Sequence, residues 1–226
     1  MVNFGIILNE SARSRAYIQI LCKNGVFPKS ILYISNAWEP PLEISYAGEF
    51  NIRETTGETI TKYNLSCVKT NETNINSPII INILKSFEED IIVFGGPGGQ
   101  ILKKDILNIG KNFLHAHPGK VPEYRGSTTL YYTILNNHKP NVSVFYLSKE
   151  IDEGDLIGIY EYNIIKEINI DYIFDPLIRA QSILKALNKL KQNPDFTKEK
   201  QPTSNDLPYF VIHPILKHIA INKTKQ

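Results

Sequence analysis

Short runs rich in β-branched residues alternate along this chain with segments whose apolar residues recur at helical spacing, and that alternation restricts the fold more than any other feature. Phe4, Ile6, Ile7 and Leu8 make a compact strand-like run. Ala16, Ile20 and Leu21 follow at helical spacing, and Gly25 stands where a helix would end. "KSILYIS" is a second predicted strand and "LSCVKT" a third. Ile79, Ile80, Ile83, Leu84 and Phe87 form one face of a helix, and "DIIVFGGPGGQIL" opens from a buried-strand run into a glycine-rich loop. "KNFLHAH", the helical "STTLYYTILNN", "NVSVFYLS" and "DLIGIYEYNI" come next. "IDYIFDPLIRAQSILKALNKLKQ" carries the strongest helical period, and no internal repeat is present. Strands alternating with helices predict an open, mostly parallel α/β sheet with helices on both faces. In such sheets ligands bind beyond the carboxyl ends of the strands, so the loops Asn9–Arg15, Gly95–Gly99 and His115–Gly126 are expected to converge. Residues 36–58, mixed in proline, glycine and acidic residues, read as a long loop with a short helix.

With 226 residues the chain can build one sizeable domain. Its net charge is +2 with both signs dispersed, which argues against a partner gripped through many phosphates and so against nucleic acid. Cys22 and Cys67 lie far apart and match no metal or redox spacing. The amino terminus lacks a basic segment ahead of a long apolar one, and no long apolar stretch occurs elsewhere, so a cytoplasmic protein without a membrane partner is expected.

The loops carry the chemistry. "GGPGGQ" lacks the spacing of a nucleotide fingerprint, but Gly95, Gly96, Gly98 and Gly99 around Pro97 can bring bare backbone against a flat ligand. His115 and His117 share one face of an extended segment, because side chains alternate with period two. Three readings stay open on these residues: metal ligation with a carboxylate such as Asp152 or Asp155, acid–base chemistry, or two loop histidines with satisfied hydrogen bonds.

"HAHPGKVPEYRG" and "VFYLSKEIDEGDLIG" together resemble the folate-dependent formyltransferases, the family of the glycinamide ribonucleotide, methionyl-tRNA and sugar-nucleotide enzymes. That family shows Asn-x-His-Pro, a second proline, Arg-Gly, and later a strand ending in Asp-x-Gly. Here thirty-five residues separate His117 from Asp152. The likeness covers residues 1 to 190 and is strongest over 90 to 158. It implies a Rossmann-like formyltransferase domain over 1–192, a carboxyl-terminal extension over 193–226, and N10-formyltetrahydrofolate as formyl donor. His117 falls on the family's catalytic histidine and Asp152 on its aspartate, whereas His115 replaces an asparagine whose amide stabilises an oxyanion. Both His117 and Asp152 are then expected in a solvent-accessible cleft, without metal.

The same resemblance assigns the ring of the donor to Gly95, Gly96, Pro97, Gly98, Gly99 and Ile101, with Asp155 beside it, although Asp155 also reads as a turn residue before a strand. Tyr-Arg-Gly after the second proline is closer to the methionyl-tRNA and amino-sugar branches, and without a further domain for tRNA a nucleotide-linked amino sugar of surface-polysaccharide synthesis is the expected acceptor. Arg125, Lys120, Tyr124, Arg13 and Arg15 are candidates for its recognition. The alternatives are a hydrolase on the same scaffold and a ligand-binding relative without catalysis. The apolar tail "LPYFVIHPILKHIAI" is expected to add an edge strand or to pair two subunits as a homodimer.

Overall fold

The computed structural model describes residues 2–192, 198–204 and 206–225. Among these residues seven strands form one sheet: β1 (Phe4–Asn9), β2 (Ser30–Ile34), β3 (Val68–Thr70), β4 (Ile91–Phe94), β5 (Asn112–His117), β6 (Asn141–Tyr146) and β7 (Leu156–Glu161), in the spatial order β3-β2-β1-β4-β5-β6-β7. β1 is central and buried at every position, as its uninterrupted apolar run requires. It pairs in parallel with β2 on one side and β4 on the other. The chain therefore runs outward to β3, returns across β1 and continues the other way, which leaves a crevice at the carboxyl ends of β1 and β4.

Beyond β5 the sheet turns antiparallel, β5 with β6 and β6 with β7. Residues 147–155, which join β6 to β7, hold no helix, and a parallel return would need a longer crossover. The α/β class with a mostly parallel sheet is thus as the sequence predicts.

Among the described residues there are seven α-helices: α1 (Ala12–Lys23), α2 (Thr56–Lys62), α3 (Pro78–Lys85), α4 (Lys104–Leu107), α5 (Thr129–Leu135), α6 (Asp175–Gln192) and α7 (Pro214–Lys223). Helix starts are set locally. Ser11 caps α1 by accepting the Ser14 N–H, Thr55 and Glu58 form a capping box on α2, and Ser77 with Pro78 opens α3. α1 lies against α6 on one face, burying Tyr17, Ile18, Ile20 and Leu21; burial of each such side chain contributes roughly 1.5–3 kcal/mol. α3 and α4 cover the other face through Ile80, Leu84 and Ile106.

The long loop after β2 is held by two guanidiniums, one buried and one half-buried. Arg15 pairs with Glu10 at 3.0 Å and donates to the Ile52 and Trp38 carbonyls, while Arg53 donates to those of Pro40, Pro41, Leu42 and Ile44. Arg15 is fully buried there, away from any ligand role.

The expected boundary at 192/193 adjoins residues 193–197, which lie outside the described residues. Of the tail, Glu199 makes an isolated bridge to Leu156 at the sheet edge, Tyr209 makes another to Gly126, and 214–223 form α7 against α5. No helix is long and apolar enough to cross a membrane, among the described residues.

Candidate active site

β5 ends by delivering His115 and His117 to the same side of the sheet, opposite Phe145 and Ser143 of β6. Both imidazoles meet the Phe145 ring, with centroids 5.8 and 6.2 Å away. The turn after β5 is fixed from β6, since Ser143 Oγ donates to the Gly119 carbonyl at 2.7 Å and accepts the Val121 N–H at 3.1 Å. At Gly119 the chain passes so close to the Tyr124 carbonyl and to His117 Nε2 that a Cβ would lie 2.5 and 2.9 Å from them. Glycine is what lets this turn fold back on the histidine.

That close approach decides the state of His117. Its Nε2 lies 2.6 Å from the Tyr124 carbonyl, which can only accept, so Nε2 carries a proton. Thr129 Oγ1 stands 3.2 Å from the same nitrogen and donates to the Pro118 carbonyl. Nδ1 is left facing Asp152 Oδ2 at 3.4 Å. The tautomer is therefore set by a backbone carbonyl rather than by the carboxylate. Burial lowers the His117 pKa from its ordinary value, while Asp152 and the Tyr124 carbonyl pull the other way. The ring is neutral near pH 7, with a basic nitrogen aimed at an acid that can stabilise the proton it takes up. At 3% exposure His117 is buried, contrary to the expectation of a solvent-accessible residue; Asp152, 13% exposed in its side chain, faces the opening.

Asp152 reaches this place on the loop between β6 and β7. Its φ of 55° is left-handed, a conformation that Asp and Asn tolerate better than most residues. Its Oδ2 accepts the Gly126 N–H at 2.8 Å. Two residues on, a Cβ at Gly154 would overlap the Tyr146 carbonyl oxygen, which accounts physically for the glycine of Asp-x-Gly.

His117 and Asp152 open into a cavity of about 730 Å³ at the crevice between β1 and β4, lined also by Arg13, His115, Pro97 to Leu102 and Arg179. His115 packs near Phe94, with centroids 6.2 Å apart, and its buried Nδ1 has no hydrogen-bond partner. Burial and then the charges of Arg179, Arg13 and His117 drive its pKa well below the usual histidine value, so it is a neutral donor or acceptor rather than a cation.

No protein-family model matches the chain. Over 131 residues it is 30% identical to the methionyl-tRNA formyltransferase of Finegoldia magna, a match covering 56% of this chain and 42% of that protein. The chain spans less than half the length of the curated relatives it matches. In structure it is similar to glycinamide ribonucleotide transformylase 1 from Symbiobacterium toebii, with TM-score 0.62 and 14% identity over 90% of this chain and 95% of the other. It is also similar to a sugar N-formyltransferase from Shewanella sp FDAARGOS_354, with TM-score 0.57 and 14% identity over 99% and 88%. This is the formyltransferase fold.

On that fold the structure brings together most of the residues singled out in the sequence and leaves others apart. Pro97, Gly98, Gly99 and Ile101 line the cavity with His115, His117, Asp152 and Arg13. Gly95 and Gly96 lie behind it, where a Cβ would meet the Ile7 carbonyl and the Ile7 side chain at 3.0 and 2.8 Å. Asp155 is outside; its carbonyl accepts the Tyr146 N–H as β7 begins. Lys120 is exposed and pairs with Glu123. Arg125 is buried against Glu153 and the Asp206 carbonyl. The Tyr124 side chain points to His138 and Asn136, so this residue serves His117 through its backbone alone.

Sequence reading missed Arg179 and the tail segment Leu207–Val211, both of which line the cavity. Asp175 and Arg179, four residues apart inside an apolar helical period, were a legible signal; they pair at 2.9 Å. The tail has none in the sequence. Tyr209 stacks on Tyr124, meets the Tyr132 ring at a tilt, and exchanges backbone bonds with Arg125 and Ser127, which seats the tail beside Gly126 and hence beside Asp152.

Proposed function

We propose that this protein is an N-formyltransferase that moves the formyl group of N10-formyltetrahydrofolate to the amine of a small acceptor, with a nucleotide-linked amino sugar as the acceptor class. The observation that carries the reading is His117 Nδ1, unprotonated and 3.4 Å from Asp152, in the same cavity as His115 and the backbone of Gly98 and Gly99. Phe94, Ile101, Leu102, Leu147 and Ile151 supply apolar walls suited to a flat ring, and the bare backbone at Gly98 and Gly99 can meet its polar edge.

In the reaction the acceptor amine bonds to the formyl carbon, and the bond from that carbon to N10 breaks. The proton lost by the amine must reach N10. His117 Nδ1 receives it, Asp152 stabilises the imidazolium while it exists, and the same nitrogen returns the proton to the leaving nitrogen. His115 donates to the formyl oxygen as its charge develops. A cavity of about 730 Å³ is of the size that takes small ligands, and the likeness to a sugar N-formyltransferase extends over 99% of this chain; both support the acceptor class.

One observation favours a metal-dependent hydrolase instead: ligand atoms of His115, His117 and Asp152 lie within 4.8 Å of one another. Incubation with formyl donor and a panel of nucleotide-linked amino sugars, read by mass spectrometry, separates the two. A product one formyl group heavier supports the transferase, and release of formate without such a product supports the hydrolase.

A further inference from the structure

Asp152 stands on a loop that does little by itself to hold it. Residues 148–151 ahead of it are exposed, and so is Glu153 after it. Its left-handed φ of 55° is a sparsely populated conformation that the surroundings must maintain. Apart from His117, the Gly126 N–H at 2.8 Å is the one donor that reaches its carboxylate among the described residues. Glu153, next in the chain, pairs with Arg125. Two consecutive residues, Arg125 and Gly126, thus hold two consecutive residues of the loop, Asp152 and Glu153.

Arg125 and Gly126 are in turn held by the tail. The Tyr209 N–H donates to the Arg125 carbonyl at 2.7 Å and the Ser127 N–H to the Tyr209 carbonyl at 2.8 Å, so Gly126 is bracketed on both sides. With φ at 104°, a Cβ on Gly126 would lie 2.3 Å from the Tyr209 carbonyl oxygen; glycine alone lets the two segments meet. Arg125 Nη2 donates to the Asp206 carbonyl at 2.6 Å, and the Ile212 N–H to Thr128 Oγ1 at 2.9 Å. Gln201, also of the tail, donates to the Gly154 carbonyl at 2.7 Å. The Tyr209 ring closes the assembly, stacked on Tyr124 with centroids 5.6 Å apart and tilted against Tyr132 at 4.4 Å.

We propose that Tyr209 is a positioning residue: by pinning Arg125 and Gly126 it keeps the Asp152 carboxylate facing His117 Nδ1, which makes the tail a working part of the active site. The tail acts on the aspartate rather than on the histidine. The Tyr124 carbonyl that fixes His117 Nε2 is set by its own turn, in which the Tyr124 N–H donates to the Lys120 carbonyl at 2.8 Å. Loosening Tyr209 therefore frees the acid while the ring it serves stays in place. The effect on turnover rests on the formyl-transfer reading; the hold on Asp152 does not.

The test uses the full chain and two readouts. Hydrogen exchange of the Gly126 amide, followed by NMR, reports its bond to Asp152 without any need for turnover. In Tyr209→Ala this amide is expected to exchange about tenfold faster than in wild type while the amides of β1 keep their rates. Tyr209→Phe, which keeps both ring contacts, is expected to restore slow exchange. The second readout is kcat of formylation for wild type, Tyr209→Ala, Asp152→Asn and the double variant. Tyr209→Ala is expected to lower kcat about tenfold in the wild-type background and less than about threefold beside Asp152→Asn, because the charge it positions is then gone. Equal factors in the two backgrounds, a wild-type exchange rate at Gly126 in Tyr209→Ala, or faster exchange throughout β1 overturns the proposal. If Tyr209→Ala does not fold, Tyr209→Leu carries the decision by the same two readouts. Faster exchange at Gly126 alone, where wild type formylates no acceptor, refutes the function and leaves the positioning role standing; equal factors in a working formyltransferase refute the positioning role and leave the function.

Discussion

Replacing Asp152 with Asn removes a charge and almost nothing else. The Asn carbonyl can still accept the Gly126 N–H that Asp152 Oδ2 accepts at 2.8 Å, and Asn is at ease at the left-handed φ of 55°. Thermal stability should stay near that of wild type. Turnover should not. An opposite charge this close, 3.4 Å from Nδ1, typically favours the protonated histidine by about 1–3 pKa units. At 1.36 kcal/mol per unit, its loss makes proton uptake by His117 harder by about 1.4–4 kcal/mol, a tenfold to thousandfold fall in rate centred near a hundredfold. The sign of the pH effect is equally fixed. His117 must be unprotonated to act, so activity fails as pH falls through its pKa; burial already lowers that pKa and the carboxylate opposes the lowering. Without Asp152 the acid limb of kcat moves to lower pH. Initial rates of formylation from pH 5 to 9 with purified wild type and Asp152→Asn measure both effects. Turnover within about threefold of wild type, with the acid limb in place, would show that the carboxylate does not assist the histidine.

His115→Asn should keep or raise activity, and His115→Ala should cost about 2.7–4 kcal/mol of transition-state stabilisation; equal rates for all three proteins would remove His115 from the mechanism. Because His115 is held neutral, the ratio of wild-type to Asn rates should be flat from pH 6.5 to 9, and a ratio falling with pH would mean a charged donor. His115 and His117 both have depressed pKa values in the fold, so the unfolded chain binds more protons below about pH 6.5; stability should be fully present above that pH and fall by up to roughly 1.4 kcal/mol per pH unit for each below it, measured by urea unfolding. A Cβ at residue 154 has no room beside the Tyr146 carbonyl, so Gly154→Ala should lower Tm and activity together; an unchanged Tm would mean the loop gives way at little cost. Elemental analysis of the purified protein should find no stoichiometric zinc, and one tightly held equivalent would favour the hydrolase.

The fold was legible because its central strands are buried on both faces. Runs such as Ile6 to Leu8 and Ile91 to Phe94 have no polar alternation to confuse them with a surface strand, and α6 shows its period over five turns. What escaped was short or determined from a distance. α4 is one turn long and has no room for a period, and α7 buries Ala220 alone rather than an apolar stripe. Within the site, His115, His117, Asp152, Arg13 and the Pro97–Gly99 loop were readable because each stands at the carboxyl end of a strand or just past it. Arg125 looked like a ligand contact for the same reason, yet Glu153 and the Asp206 carbonyl claim it. No local pattern distinguishes a guanidinium aimed at solvent from one captured by a chain segment eighty residues away. The tautomer of His117 was unreadable in the same sense, since it depends on a carbonyl brought within 2.6 Å by a turn at Gly119.

The most direct test follows a formyl carbon label. Donor labelled at that carbon is incubated with wild type, His117→Asn and Asp152→Asn, together with the acceptor that the panel identifies. Label is expected on the acceptor amine with wild type, and transfer reduced about a hundredfold or more in both variants, with donor binding retained. Label released as formate by wild type, or transfer undiminished in the variants, would contradict it.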